Sequence, residues 1–293
     1  MNKDSNSETV AVLGLWHLGS TYSACFAKLG FKVIGLDTNK EVVESLRSGI
    51  PPVSEPGLKE LLVKGFAEGM LSFSTDFGQL RSSDYVVLAL DTPIDKEDRP
   101  NLHPLLKLCR KASPFLKERT HVVVSSQVPV GTCEKLAAEF KLQNSMTISY
   151  VPENLRLGQA INSFFSPSFL VIGSDSSEGI SSTARLFKGL KIEPVTMRLR
   201  AAEMVKHVLN SYLAMNITFG NEIATLCRWV GVDPFEVIGA VLRDNRISPK
   251  APIRPGPPFS GGTLARDLTV LRNLGNRQRV RTFLLDGIAK SNA

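Results

Sequence analysis

The sequence predicts an α/β protein in which a doubly wound parallel sheet is followed by a helical domain with one long central helix. Three observations predict it. Short apolar runs alternate with stretches of helical composition over the first two thirds of the chain. Most residues of those runs are apolar, as in central strands that helices cover on both faces. Later, about thirty residues without a proline carry apolar side chains at three-to-four spacing.

The first β-α-β unit occupies about thirty residues near the N-terminus. Thr9–Leu13 is rich in β-branched residues and predicts a strand that ends at Gly14. Ser20–Leu29 has helical composition, and Phe31–Leu36 predicts a second strand, which Asp37 closes. Because a helix connects the two strands, we expect them to be parallel, with a right-handed crossover.

The same alternation continues along the chain. Lys40–Ser48 predicts a helix, and three later apolar runs predict strands at Tyr85–Leu90, His121–Ser125 and Leu170–Ile172. We therefore assign residues 1–198 to one doubly wound domain.

Residues 199–293 predict a helical domain. Ala201–Val230 predicts a helix of roughly 45 Å, with Gly231 as its C-cap. Its apolar surface exceeds what one neighbouring domain would cover, so we expect a homodimer through this helix. Shorter helices and a loop rich in proline and glycine complete the prediction: helices at Asp233–Leu242, Asp267–Leu274 and Arg279–Ala289, and the loop at Ser248–Gly262.

Composition excludes several classes of protein. Hydrophobic residues make up 43% and charged residues 22%, which is ordinary for a globular chain. No apolar run reaches the ~18–20 residues that span a bilayer, and the N-terminus lacks the apolar segment of a signal peptide. The four cysteines are scattered without a CxxC pair, so we expect reduced thiols and a cytoplasmic protein. No cluster has metal-ligand spacing, so we expect no metal.

The net charge is +7, and the basic excess is greatest between Arg243 and Arg281. Such a segment could bind nucleic acid, bind a small molecule that carries a diphosphate, or form a solvent-exposed basic face. It has few aromatic residues for base stacking, and the chain has no zinc-finger or helix-turn-helix pattern. We therefore expect no nucleic-acid partner.

The turn after the first strand predicts a dinucleotide site. In the segment GLWHLG, Gly14 and Gly19 take the first and third glycine positions of a G-x-G-x-x-G pattern, and Trp16 takes the second. Backbone N–H groups and the helix N-terminus hold a diphosphate at such a turn. Asp37 stands where a carboxylate binds the adenosine ribose and favours NAD over NADP. The alternative is a Rossmann-type fold whose nucleotide site is degraded.

Further motifs follow along the chain in a fixed order: Gly49–Leu62 (GIPPVSEPGLKELL), Leu71–Asp76, Thr92-Pro93, Ser125–Thr132 (SSQVPVGT), Pro152–Ile161 (PENLRLGQAI), Ala202–Lys206 with Asn210, and Gly256–Asp267 (GPPFSGGTLARD). In this order they resemble the UDP-glucose/GDP-mannose dehydrogenase family. The resemblance extends over nearly the whole chain, from Val10 to about Asn292.

The resemblance implies an NAD-dependent oxidoreductase that acts on the C6 alcohol of a nucleotide sugar such as UDP-glucose. Family members oxidise the alcohol to an aldehyde and then, through a cysteine thiohemiacetal, to the acid. Carried over by position, Lys206 and Asn210 lie near the substrate oxygen, Glu153 serves water or acid–base steps, and Asp267 lies beside the nucleophile. The implied cofactor-binding residues are Gly14, Trp16, His17, Leu18, Gly19, Asp37, Thr92, Pro93 and Gln127.

The chain departs from the family pattern at the nucleophile itself. The cysteine position of the glycine-rich loop is Thr263, and none of the four cysteines lies in that loop. A threonine hydroxyl has a far higher pKa than a thiol and is a poor nucleophile without a matched base. Gln127 replaces a family threonine and Leu157 a family glutamate. The chain also ends about where the linker to the family's second nucleotide-binding domain is expected.

Two functions therefore stay open. One is a dehydrogenase that stops at the aldehyde, because hydride transfer needs no nucleophile. The other is a non-catalytic homologue that acts as a dimeric nucleotide-binding scaffold or subunit. Two histidines near these motifs are interpreted as bystanders: His17 is expected to face solvent, and His207 to point away from its neighbour Lys206.

Overall fold

A computed structural model describes residues 8–96, 98–140 and 146–293. The described residues form one eight-stranded sheet. Its strands are β1 (Thr9–Leu13), β2 (Lys32–Leu36), β3 (Leu71–Ser74), β4 (Tyr85–Leu88), β5 (His121–Val124), β6 (Thr147–Tyr150), β7 (Val171–Gly173) and β8 (Val195–Met197).

The α-helices alternate with these strands and then follow them. They are α1 (His17–Lys28), α2 (Lys40–Arg47), α3 (Leu58–Ala67), α4 (His103–Ala112), α5 (Thr132–Glu139), α6 (Ala160–Phe165), α7 (Ser177–Leu186), α8 (Leu199–Val230), α9 (Pro234–Val241), α10 (Leu264–Arg277) and α11 (Phe283–Ser291). The predicted α/β fold class, with its long helix, is confirmed.

The strand order is β3-β2-β1-β4-β5-β6-β7-β8. Neighbouring strands are parallel except β6 and β7, which are antiparallel. Val10–Leu13 of β1 and all of β4 are buried, which explains why they are continuous apolar runs. Strand β2 lies on one side of β1 and strand β4 on the other, so the strand order reverses at β1. The crevice at the carboxyl ends of β1 and β4 is therefore a topological switch point, the place where ligands bind in such sheets.

The chain divides into two compact units. The sheet unit comprises Met1–Thr92 and Leu102–Glu203, and the helical unit comprises Pro93–Asn101 and Met204–Ala293. Aromatic rings of α1, α6 and the segment after α7 pack together in the core of the sheet unit, for example Phe26 with Phe164 and Phe187. The domain boundary predicted after residue 198 stays a prediction.

Several predicted boundaries are wrong. Helix α1 begins at His17 rather than Ser20, since Trp16 already has the extended backbone of an N-cap. Helix α10 begins at Leu264, three residues before the predicted start. Helix α11 begins at Phe283 rather than Arg279, because Arg279 adopts a positive φ of 55° that a helix does not tolerate. The predicted strand at Tyr85–Leu90 ends at Leu88, where its pairing with β1 ends.

Candidate functional site

The turn between β1 and α1 is built on two glycines with no room for a side chain. Gly14 has a φ of +88°, and a Cβ atom there would lie 2.8 Å from the Cα of Leu90. A Cβ atom on Gly19 would lie 1.7 Å from the carbonyl oxygen of Gly14. The close approach of helix and turn therefore depends on glycine at both positions.

Trp16 occupies the second glycine position, and its side chain is half exposed. No side chain caps the N-terminus of α1, which begins with His17, Leu18 and Gly19. The first-turn N–H groups therefore point to where a diphosphate would bind.

Asp37 is fixed at the end of β2 by two backbone donors. The N–H of Leu15 donates to its Oδ2 at 2.7 Å, and the N–H of Asn39 donates to Oδ1 at 2.9 Å. A pocket of about 540 Å³ opens between Gly14, Asp37, Thr38, Leu90 and residues of α4. The glycine cradle, the uncapped helix and this carboxylate together fit the diphosphate and adenosine ribose of NAD.

His17 does not face solvent as expected. Its Nε2 lies 2.7 Å from Oε1 of Glu55, a buried residue of the GIPPVSEPGLKELL segment. The N–H groups of Gly158 and Ala160 also donate to this carboxylate, at 2.7 and 3.1 Å. Burial alone would raise the pKa of Glu55, but the three hydrogen bonds outweigh it and lower the pKa below its usual value. Glu55 thus ties the turn to the segment that follows Glu153.

The remaining cofactor candidates lie beyond β4 and β5. The Thr92 hydroxyl donates to the carbonyl oxygen of Gln127 at 2.7 Å, which joins the segments that follow these neighbouring strands. Pro93, the next residue, belongs to the helical unit. The structure therefore brings Thr92 and Gln127 together but assigns Pro93 to the other unit.

Glu153 is partly buried in the segment that follows β6. Its charge acts on Tyr22 of α1: burial chiefly, and then the neighbouring Glu153 carboxylate, raise the pKa of the Tyr22 phenol. Glu153 is thereby placed in the sheet unit, near α1.

A buried, hydrogen-bonded cluster on α8 and α10 contains two of the predicted catalytic residues, Asn210 and Asp267. Lys206 and Asn210 are buried on α8, and Asp267 of α10 is fully buried. The Asn210 amide donates to Oδ2 of Asp267 through a short hydrogen bond. His207 has its Nδ1 2.7 Å from Oδ1 of the same carboxylate. His207 and Asn210 are three residues apart and share one face of the helix, so both reach Asp267. The expectation that His207 points away from Lys206 stays a prediction.

Thr263 does not belong to this buried cluster. It is exposed and directly precedes α10, and its carbonyl oxygen accepts the backbone N–H of Asp267 at 3.2 Å. All four cysteines are free and buried elsewhere. Burial raises the pKa of the Cys109 thiol to about 12, so it is not a ready nucleophile. The loop therefore has no thiol at the position where the family pattern requires one.

Sequence reasoning missed the role of Glu203. This residue is fully buried, and its carboxylate accepts the N–H groups of Gly131 at 2.5 Å and Cys133 at 2.7 Å. It therefore caps the N-terminus of α5. The only sequence signal was the position of Glu203 in the Ala202–Lys206 motif. That motif does not predict a hydrogen bond to the N–H of Cys133, which lies 70 residues earlier.

The described part of the chain has neither a metal-binding cluster nor a helix that could cross a membrane. No group of three histidine, cysteine or acidic side chains there could hold a metal ion. No described helix combines the length and apolar character that crossing a bilayer requires.

The comparisons with known proteins agree along the whole chain. Residues 8–191 match the family model of the NAD binding domain of the UDP-glucose/GDP-mannose dehydrogenase family, and residues 200–293 match the model of its central domain. The chain is 30% identical to the UDP-glucose 6-dehydrogenase TuaD of Bacillus subtilis, over 97% of its own length and 62% of the relative's. It is also 30% identical to a GDP-mannose 6-dehydrogenase of Pseudomonas putida, over 97% and 67%.

Solved structures give the same result. A UDP-glucose dehydrogenase from Pyrobaculum islandicum superposes with a TM-score of 0.91 at 30% identity, covering 100% of this chain and 69% of that one. A GDP-mannose dehydrogenase from Pseudomonas aeruginosa superposes with a TM-score of 0.77 at 28% identity, covering 97% and 68%. The chain thus spans about two thirds of the length of these proteins.

Proposed function

The chain belongs to the UDP-glucose/GDP-mannose dehydrogenase family, and from this premise we propose that it oxidises the C6 alcohol of a nucleotide sugar and stops at the aldehyde. NAD is the cofactor of this family's N-terminal domain, which residues 8–191 match. The names of the relatives support a substrate such as UDP-glucose or GDP-mannose.

The proposal rests on one observation, the arrangement of residues on α8 and α10 in the helical unit. Asn210 and Asp267 are buried and hydrogen-bonded to each other, and Lys206 is buried four residues before Asn210 on α8, whereas Thr263 is exposed at the position of the thiol. Alcohol oxidation uses the first group of residues, and the further oxidation to the acid uses the thiol. A threonine hydroxyl, which is hardly ionised near neutral pH, does not replace it.

Each residue then has a role that its chemistry allows. Lys206 and Asn210 bind the substrate oxygen as negative charge develops on it. Glu153, in the sheet unit, is proposed for an acid–base step. NAD, when bound, would supply the hydride acceptor for the alcohol carbon. Gly14, Trp16, His17, Leu18 and Gly19 would hold its diphosphate through the backbone, Asp37 would hold its ribose, and Thr92 and Gln127 would complete the cofactor site of the sheet unit.

The test has two stages. Calorimetry first measures NAD binding at micromolar protein, and NADH absorbance is then followed with UDP-glucose and with GDP-mannose. We expect saturable NAD binding, NADH formation with one of the two sugars, and an aldehyde that a hydrazine reagent traps. Absence of NAD binding would refute the proposal.

A second candidate function is a non-catalytic scaffold or subunit that binds a nucleotide. The observation that favours it is the burial of Asp267, whose two oxygens both have partners on α8. NAD binding without NADH formation from either sugar would favour this scaffold over the enzyme.

We also propose a homodimer through α8. Its exposed apolar side chains recur every four or seven residues, at Val208, Tyr212, Phe219 and Leu226, each at least half exposed. Such spacing forms one stripe along a helix, and a second copy of the chain would cover it. Light scattering should give a dimer that Phe219→Glu converts to monomer. The control Val63→Glu, at an equally exposed position of α3, should stay dimeric.

A further inference from the structure

His207 and Asp267 form a buried imidazole–carboxylate pair within the helical unit. The exposed fraction is 1% for the imidazole and 0% for the carboxylate, and Nδ1 lies 2.7 Å from Oδ1. Burying two such groups is unfavourable unless they are bonded to each other. The pair is therefore a strong constraint on where each side chain lies.

The chain's other fully enclosed histidine provides a comparison. His121 of β5 lies between the hydroxyls of Thr147 and Thr183, at 2.6 and 2.7 Å. Burial, and then Arg185, lower the pKa of His121 to about 4, so this imidazole is neutral and structural. His207 differs because its partner is an ionisable carboxylate that the family pattern places at the reaction centre.

The 2.7 Å contact with Asp267 points to one tautomer of His207. A carboxylate oxygen accepts hydrogen bonds, so we infer that Nδ1–H is the donor to Oδ1. The Asn210 amide donates one hydrogen to Oδ2. Two donors, three residues apart on one face of α8, thus hold both oxygens of a side chain that comes from α10.

We propose that His207 is a positioning residue for the oxidation of the sugar alcohol, and this inference rests on the proposed function. His207 fixes the rotation of the Asp267 carboxylate. The carboxylate, in turn, fixes the plane of the Asn210 amide. The second hydrogen of that amide is then aimed at the substrate oxygen. His207 acts through Asp267 and need not touch the substrate.

Two substitutions of His207 by amide side chains of different length test the inference. In His207→Asn the Nδ2 atom takes the place of the imidazole Nδ1 and can donate to Asp267, whereas His207→Gln carries its donor one bond further out. We expect His207→Asn to keep kcat within about threefold of the unmodified protein, and His207→Gln to lower kcat about tenfold or more, with KM changed less. NAD affinity, which depends on the sheet unit, should change in neither. Equal losses of kcat in the two variants would overturn the proposal.

A second measurement does not need turnover. In protein labelled with ¹⁵N-histidine, the signal of His207 is assigned by its disappearance in His207→Asn. We expect it to show a proton on Nδ1 in the protein without ligand. A bare Nδ1 with the proton on Nε2 would overturn the inference. If the protein binds NAD but oxidises no sugar, the proposed function fails while this spectrum still decides whether His207 holds Asp267.

Discussion

The turn at Gly14–Gly19 and the loop at Gly256–Asp267 both depart from the family pattern, the first at Trp16 and the second at Thr263 among other positions, and we expect opposite consequences. In the turn, backbone atoms are proposed to hold the ligand, and the indole of Trp16 is half exposed. In the loop, the family pattern makes the side chain the reagent, and Thr263 cannot supply a thiolate. On the proposed function we therefore expect a substitution to be tolerated where backbone atoms bind the ligand, and to change the reaction where the side chain is the reagent.

The largest effect on stability and NAD binding is expected from adding a side chain at Gly19, where the turn leaves no space for one. Gly19→Ala places a Cβ atom 1.7 Å from the Gly14 carbonyl oxygen, which no side-chain movement relieves. We expect the free energy of unfolding to fall by about 3 kcal/mol or more, together with loss of NAD binding. Urea titration followed by circular dichroism measures the first, and calorimetry the second.

Gly287→Ala is the control for this prediction. A Cβ atom at Gly287, in α11, meets no atom within 4 Å. Alanine should leave stability unchanged or raise it by up to about 1 kcal/mol, because it favours the helix. Equal stabilities of the two alanine variants would contradict the close packing of the turn.

The sheet unit should also respond to pH. His121 has a folded pKa of about 4, well below the unfolded value near 6.5, so the unfolded chain binds the proton first. Stability is therefore complete above pH 6.5 and declines as the pH falls towards 4, by up to about 3 kcal/mol from this residue. Urea titrations across this range measure the slope. A slope that persists unchanged in His121→Gln would show that other groups cause it.

Removing the ribose carboxylate should weaken the cofactor site without unfolding it. Asp37→Ala leaves the N–H groups of Leu15 and Asn39 without their acceptor, and NAD affinity should fall about tenfold to a hundredfold. Asp76→Ala is the matched control, because Asp76 also follows a strand and accepts a backbone N–H, from Gly78. Its NAD affinity should stay within about twofold. An equal loss in both variants would argue against a role of Asp37 in binding.

The smallest effect is expected at Trp16, and it tests the comparison most strictly. Trp16→Gly restores the family pattern of the turn. Because half of the Trp16 side chain is exposed and the backbone is proposed to hold the diphosphate, NAD affinity should change by less than about threefold. A gain of a hundredfold, measured by calorimetry, would mean that the side chain obstructs the dinucleotide after all.

The sequence predicted the parts of the fold that have strong local signals. The mainly apolar runs of β1, β2, β4 and β5 lie within two residues of their predicted ends, since burial on both faces leaves few polar residues within them. The run VTM of β8 is short and partly polar, and no local pattern distinguishes it from a loop. The start of α1 was missed because its N-cap residue, Trp16, makes no side-chain capping hydrogen bond and gives no capping signal in the sequence.

The sequence motifs predicted which residues belong to the site, but not the contacts between them. The series of motifs named Lys206, Asn210 and Asp267, but not the hydrogen bonds that join them. His207 and Asp267 are 60 residues apart, and Glu55 lies more than 100 residues before the Gly158 N–H that it accepts. Such pairs depend on how helices and loops pack, and no local pattern of one sequence encodes them.

The most direct test of the account is the yield of NADH per molecule of sugar oxidised, measured at completion with NAD in excess. With UDP-glucose or GDP-mannose we predict one NADH and one aldehyde for each sugar, and a second NADH with formation of the acid only in Thr263→Cys. Two NADH per sugar in the unmodified protein would show that the loop still performs the second oxidation, and would contradict the account.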